Sequence, residues 1–345
     1  MSQSMLKIKQ YLSLLRRNPW LLMPNRNSLN YARYKLSKKT TCVDISKCGI
    51  VFTTMYITRR CNLNCSFCIV AKSRATQDIK RFDMTLDQFA AIINHEAFNR
   101  SLYIMLSGGE PLLNENIFEM IHYLKKQKRL VAMTTNGTLL GGKIDALMRE
   151  KIDSINISVY DTNIKVLRAI VPDVARRCFV KLCKVVTRSM LKEPRPVEEA
   201  AELAVSAKCS GLYLANIMPG PGTPADLHQD VIYDDDPDYP AFRERLRQKF
   251  PGLAINFFEP LHRDPRQIQC QMPWYFGIVD NQGNLGFCCY DSLCNKGNVF
   301  DTHPEGVYNR VPWLPVRQEI LQYDPGRNTF CKDCYLANEA WSSRI

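Results

Sequence analysis

Residues 51–68 read VFTTMYITRRCNLNCSFC. The first eight, rich in β-branched and aromatic residues, predict a strand, and a loop with three cysteines follows at once. Working outward, strand-like and helix-like segments alternate as far as residue 217. Strands are predicted over 51–58, 101–107, 130–135, 153–159, 179–187 and 211–217, and helices over 85–97, 115–127, 142–150, 161–169 and 196–208. Thr85 and Gln88 fit a capping box at the first of these helices, and Pro196 with Glu198 and Glu199 suits the start of the last. Repeated strand–helix units predict a parallel sheet with helices outside. Six of them over 51–217 predict an α/β fold, a partial (β/α)6 TIM-like barrel rather than a closed eight-stranded one. In such a fold the loops at the C-terminal strand ends carry the chemistry.

The other segments surround this unit. The whole chain has 345 residues, 46% hydrophobic and 23% charged, which is ample for a core and excludes a collagen-like or wholly disordered protein. No run of about 18 apolar residues is free of charge, so no membrane-spanning helix is predicted. Residues 1–50 read as a basic helical arm. Ile8, Tyr11, Leu12 and Leu15 fall at helical spacing, and Asn18-Pro19 ends the pattern. Residues 1–40 carry nine Lys/Arg and no Asp/Glu, while the chain as a whole has net charge +12. Charge concentrated on one arm argues against a body that tracks nucleic acid. It suits contact with an acidic partner, an anionic membrane surface or substrate, or simply a solvated helical face. Arg16 and Arg17 interrupt the apolar stretch and no small-residue cleavage site follows, so the arm does not read as a secretory signal. A cytoplasmic location is expected, where fourteen cysteines imply metal ligands or buried thiols rather than disulfides. Residues 218–265 read as a linker with a short helix over Arg243 to Lys249. Its Asp234, Asp235, Asp236 and Asp238 form a solvated turn. Residues 266–345, with six cysteines and two hairpin-like glycine turns, read as a small Cys-rich domain.

Cys61, Cys65 and Cys68 form a C-x3-C-x2-C run on the first strand's C-terminal loop. Three thiolates this close can hold three corners of a cubane [4Fe–4S] cluster, whereas an electron-transfer cluster takes four cysteines. With no fourth cysteine adjoining, one iron stays open to a small-molecule ligand. A structural zinc site wants four closed ligands, and no histidine adjoins the run.

The run resembles that of the radical S-adenosylmethionine (SAM) superfamily, and Ser107-Gly108-Gly109-Glu110-Pro111, one unit later, resembles that superfamily's GGEP motif. The glycines let the backbone approach a ligand, and Glu110 offers an acceptor to an ammonium group, here the SAM amine. The resemblance implies further SAM contacts at Phe67, Ser158, Arg168 and Met218. It also implies that Thr134, Thr135, Asn136, Gly137 and Lys181 face substrate. Cys270, Gly283, Cys288, Gly297-Asn298, Cys331 and Cys334 resemble the auxiliary-cluster extension called SPASM, or its short form, Twitch. Three more cysteines of the full SPASM pattern do not follow Cys334. One auxiliary [4Fe–4S] cluster is therefore expected, on Cys270, Cys288, Cys331 and Cys334. Cys289 competes with Cys288, Cys294 is a further competitor, and a four-cysteine zinc knuckle is the other reading of the set.

The activity implied is reductive cleavage of SAM to a 5′-deoxyadenosyl radical, which abstracts hydrogen from an unactivated C–H bond. An external one-electron donor such as flavodoxin or ferredoxin supplies the electron. An auxiliary cluster favours net oxidation, a dehydrogenation or bond formation, of a small sugar- or aminocyclitol-like substrate in natural-product biosynthesis. The alternatives are a peptide-modifying maturase (epimerase, cross-linker or sulfatase activator) and a non-catalytic iron–sulfur sensor. His95, His122, His228, His262 and His303 sit at no catalytic spacing, so no acid or base is assigned.

Overall fold

The computed structural model describes residues 12, 14–23, 25–36, 50–68, 83–217, 225–261, 272–286 and 297–300, with positions 314, 317 and 318. Their strands are β1 (Phe52–Thr58), β2 (Tyr103–Gly108), β3 (Leu130–Thr135), β4 (Ser154–Ser158), β5 (Phe179–Val186), β6 (Gly211–Asn216), β7 (Ile255–Asn256), β8 (Phe276–Val279) and β9 (Leu285–Gly286). The helices are α1 (Arg26–Leu36), α2 (Leu86–Asn94), α3 (Ile117–Lys126), α4 (Ile144–Arg149), α5 (Ile164–Arg177), α6 (Ser189–Lys192), α7 (Arg195–Ser206), α8 (Asp238–Lys249) and α9 (Met272–Tyr275). One sheet runs β7-β6-β5-β4-β3-β2-β1-β8-β9, parallel throughout except for the β8–β9 hairpin. The six expected strands are its consecutive centre, open between β1 and β6, as in a partial TIM-like barrel.

Alternation along the strands separates two faces. Met55, Ile57, Ile104, Leu106, Ile155, Ile157, Val180 and Leu182 are fully buried, in one cluster with Ile92, Met120, Leu124, Leu167 and Val171 of the helices. The residues between them (Thr54, Met105, Asn156, Ser158, Cys183) are only partly buried and line the inner face, where Lys181 is exposed. The Thr85–Gln88 capping box forms as read, each side chain accepting from the other's backbone N–H.

Two expectations change. The fourth helix was expected to stop at 169, but α5 continues through Pro172 to Arg177. Burial of Leu167, Val171 and Val174 outweighs the roughly 3 kcal/mol a helical proline costs. The solvated acidic turn is partly interior: Asp236 is buried and accepts from Arg188 Nε at 2.8 Å, while its other oxygen accepts from the Asp238 N–H. The boundaries at 218 and 266 do not interrupt the sheet. β7 pairs with β6 over Leu212↔Ile255, and β8 pairs with β1 over Phe52↔Phe276 to Met55↔Val279.

The arm lies along the N-terminal ends of the strands. Asn18 Nδ2 donates to Asp153 Oδ1 (2.7 Å) just before β4, and Asn27 Nδ2 to the Gln127 carbonyl (3.4 Å) before β3. Asn30 Nδ2 donates to the carbonyls of Ile50 (3.4 Å) and Arg100 (3.3 Å), before β1 and β2. Arg17 donates to the Arg177 carbonyl and lies over the Phe179 ring at the start of β5.

Candidate functional site

The thiol loop leaves β1 at Thr58, and the turn after β2 is joined to its base. The Gly109 N–H donates to the Thr58 carbonyl (2.8 Å), and the Glu110 N–H to the Arg60 carbonyl (2.7 Å). No side chain fits here. A Cβ on Gly108, whose φ is +131°, would stand 2.1 Å from the Thr58 oxygen, and one on Gly109 2.0 Å from the Arg60 oxygen. Ion pairs fix the same base from two sides. Arg60 binds Asp83 through two nitrogens, and Arg59 reaches Asp280 at 2.7 Å. Asp280 sits in the β8–β9 turn, accepting from the N–H groups of Gln282 and Asn284. The thiol loop is thus tied to the C-terminal hairpin.

A polar chain, buried at Glu110 and Asn136, runs from the GGE turn to the first thiol. Glu110 is fully buried and accepts from Thr135 Oγ1 (2.7 Å), the Asn136 N–H (2.8 Å) and the Leu112 N–H (3.2 Å). Burial pushes its pKa up, against the pull of these donors. Asn136 Nδ2 in turn donates to Asn62 Oδ1 (2.8 Å) and lies 3.9 Å from Cys61 Sγ. Asn62 Nδ2 donates to Thr138 Oγ1, so the β3 loop clasps the cysteine loop. Asn163 Nδ2 donates to the Asn136 and Ser158 carbonyls, each at 2.8 Å, joining the ends of β3 and β4. Across the loop, the Phe67 and Tyr160 rings stand 5.7 Å apart. The Tyr160 phenol, bonded to Ser158, is pushed up to about 12, chiefly by burial and then by the neighbouring Cys65, Cys68 and Cys183.

This arrangement can be compared with known proteins. The model of the Radical SAM superfamily matches residues 55–226. The chain belongs to the radical SAM superfamily. The GTP 3′,8-cyclase of Clostridium perfringens strain 13 is 32% identical over 114 residues, 32% of this chain and 34% of that protein. The GTP 3′,8-cyclase of Aquifex aeolicus is 32% identical over 109 residues, 31% of this chain and 34% of that protein. The chain thus matches about a third of the length of these curated relatives. Among solved structures, Streptococcus suis SuiB bound to S-adenosylmethionine has a TM-score of 0.64 at 17% identity, covering 97% of this chain and 82% of SuiB. anSMEcpe with bound AdoMet has a TM-score of 0.57 at 15% identity, covering 76% and 78%. These likenesses show the fold.

The radical SAM fold implies SAM and a [4Fe–4S] cluster, and the loop's donor set fits the cluster. Cys61, Cys65 and Cys68 carry partly exposed, unbridged thiols, soft ligands of the kind an iron–sulfur cluster takes. The Cys68 N–H donates to the Cys65 carbonyl, turning the loop between the last two. Among the described residues no three His, Cys, Asp or Glu converge on a single ion; a cubane instead asks each thiolate to meet a different iron.

The other expected contacts divide. Phe67 and Ser158 lie with Tyr160 beside the thiols. Gly108 and Gly109 approach the thiol loop's own backbone. Glu110 is buried, and its carboxylate, with about four acceptor positions, takes three donors, one of them where it caps the turn Pro111–Leu113. Arg168 is exposed on α5 and joins none of these interactions. The buried face of that helix is carried by Leu167, Val171 and Val174, which turns position 168 outward. Met218 and the auxiliary ligands Cys270, Cys288, Cys331 and Cys334 lie outside the described residues, as do the competitors Cys289 and Cys294. Sequence reading gave no role to Arg59, Arg60, Asn62, Asn163 or Tyr160. Tyr160, adjoining a strand end, was the one with a positional signal.

Proposed function

We propose that the protein is a radical SAM oxidoreductase acting on a small, hydroxyl- or amine-bearing substrate held in the mouth of the open barrel. The observation that carries this is the juxtaposition of the thiol loop with a polar inner face. That face presents Thr134, Asn156 and the exposed Lys181. Asn156 and Lys181 are neighbours in register on β4 and β5. Such groups bind sugar or aminocyclitol hydroxyls by hydrogen bonding, and they serve an apolar substrate poorly.

Cys61, Cys65 and Cys68 hold the cluster, and reduced cluster with bound SAM supplies a 5′-deoxyadenosyl radical. The chain's residues do the rest. The Glu110–Asn136–Asn62 chain holds the loop that bears Cys61. Phe67 and Tyr160 shield the thiols from solvent on one side. Ser158 presents a hydroxyl at the strand end, and the inner face orients the substrate. Cys270, Cys288, Cys331 and Cys334 would hold a second cluster, which would supply an acceptor for the second electron of a net oxidation. A ferredoxin or flavodoxin serves as outside donor.

The test is anaerobic. Reconstituted protein with dithionite and SAM yields 5′-deoxyadenosine, and Cys65→Ala abolishes it. None above the protein-free background would reject the enzyme in favour of a sensor. Iron content of about eight per chain supports the second cluster, and about four rejects it. SuiB was also solved with its precursor peptide SuiA, so a peptide is the second reading of the substrate. Deuterium transfer into 5′-deoxyadenosine from labelled aminocyclitols, and none from labelled peptides, separates the two.

A further inference from the structure

The arm is built inside out. Among its described residues between 12 and 32 the buried positions are asparagines: Asn18, Asn27 and Asn30, at 1%, 7% and 2% exposure, bonded to the barrel's lower edge. Leu14, Leu15, Trp20 and Leu21 are half-buried, and the other large aliphatic side chains face outward. Leu22 is 72% exposed, Met23 67%, and Leu12 and Leu29 49% each. An arm that served only to close the barrel would bury its leucines and expose its amides. The folded chain uses the polar side for docking onto itself and leaves the apolar side for something else.

Charge identifies the occupant. Residues 1–40 hold nine Lys/Arg with no acidic residue among them. Arg16 and Arg26 are exposed in sequence on either side of Leu22 and Met23. Leu22 closes a short 3-10 turn (Pro19–Leu22) and Met23 follows it, so the two most exposed large apolar side chains among the described residues are neighbours in the chain at the end of that turn. Projecting apolar tips among arginines suit a surface that accepts apolar groups at any point and is negatively charged around them. An anionic phospholipid bilayer is such a surface, whereas an acidic protein would need a matching pocket for each tip. No helix of the described residues is long and apolar enough to cross a membrane, so the contact is interfacial.

We propose that residues 12–29 form an interfacial anchor that seats Leu22 and Met23 among the headgroups of an anionic bilayer, with Arg16 and Arg26 on lipid phosphates. The thiol loop stands at the opposite, C-terminal ends of the strands, so its mouth is turned away from the lipid. This inference is independent of the substrate assignment.

The test is co-sedimentation of the full chain with vesicles of phosphatidylcholine alone, or of phosphatidylcholine with phosphatidylglycerol. Binding is expected to the second and not the first, weakening as salt rises. Leu22→Gln with Met23→Gln is expected to lower the partition severalfold at unchanged charge, and Leu29→Gln lowers it further. Arg16→Gln and Arg26→Gln lower it about fivefold each. All five positions are exposed, so melting points stay at the parent value. Failure to sediment with phosphatidylglycerol vesicles overturns the proposal. So does binding that the Leu22/Met23 variant retains in full, which would reduce the contact to charge adhesion. Equal binding to neutral vesicles overturns the role of the arginines.

Discussion

Glu110 joins the two sequence features that singled out this site, through the Arg60 backbone on one side and Asn136 on the other. Its burial raises its pKa, so the folded chain keeps this proton at pH values where the unfolded chain has lost it. Stability from this group is therefore present at low pH and is lost as pH rises through the raised value. Glu110→Gln removes that dependence. Melts of parent and variant across the acidic range are expected to differ in slope, with the variant flatter. Gly109→Ala offers no adjustment, because a Cβ meets the Arg60 carbonyl rather than a flexible side chain. It is expected to cost at least about 2 kcal/mol in a denaturant melt and to lower iron uptake by the loop. Asn136→Ala keeps the fold at a cost of about 1–3 kcal/mol. Its iron content after reconstitution is expected to fall relative to a variant such as Asn99→Ala, remote from the loop. Cysteine spacing and paired glycines made the ligand loop legible. The supporting amides were not, since Asn62, Asn136 and Asn163 lie far apart in sequence and acquire meaning only when three strand ends meet.

Local chemistry fixes some elements and tertiary burial fixes others. The capping box of α2 needs only Thr85 and Gln88, four residues of chain, and so could be read directly. Thr85→Ala is expected to cost about 1 kcal/mol in a denaturant melt and to leave iron content unchanged. α5 passed unrecognised beyond residue 169 because the apolar face that sustains it pays off only against the sheet. The β8–β9 hairpin was legible as a glycine turn, Gly283 having φ +82°. Its pairing with β1 was not, because nothing in either strand names a partner so distant in sequence. That pairing carries the Arg59–Asp280 contact, whose side chains are 15% and 11% exposed. Asp280→Ala removes Arg59's carboxylate partner and the acceptor of the turn amides, a loss of about 1–3 kcal/mol. The double variant with Arg59→Met is expected to be less destabilised than the two single effects combined, as read by a double-mutant cycle.

Across the whole molecule, the arm, the six central strands and the hairpin share one sheet and its lower edge. Lys125 shows how far the arm is integrated. Its Nζ donates to Asp153 Oδ2 (2.7 Å) and to Asn18 Oδ1 (2.8 Å), and burial lowers its pKa against the attraction of Asp153. Lys125→Met takes the cation away from the buried Asp153, and a loss of about 3–5 kcal/mol is expected in thermal or denaturant unfolding. The domain limits drawn from composition marked where the βα rhythm stops, which is a different thing from where the sheet stops.

The position of β1 between β2 and β8 has a consequence for biosynthesis. While the chain emerges from the ribosome, one side of β1 has its neighbour early, but the other stays bare until residues 276–279 have been made. For most of translation that strand presents unpaired amides and carbonyls, a template for mispairing between nascent chains. The cysteine loop beside it gains its Asp280 tether only when the gap closes. Iron is then best delivered after release of the polypeptide, when the loop it enters has both its supports.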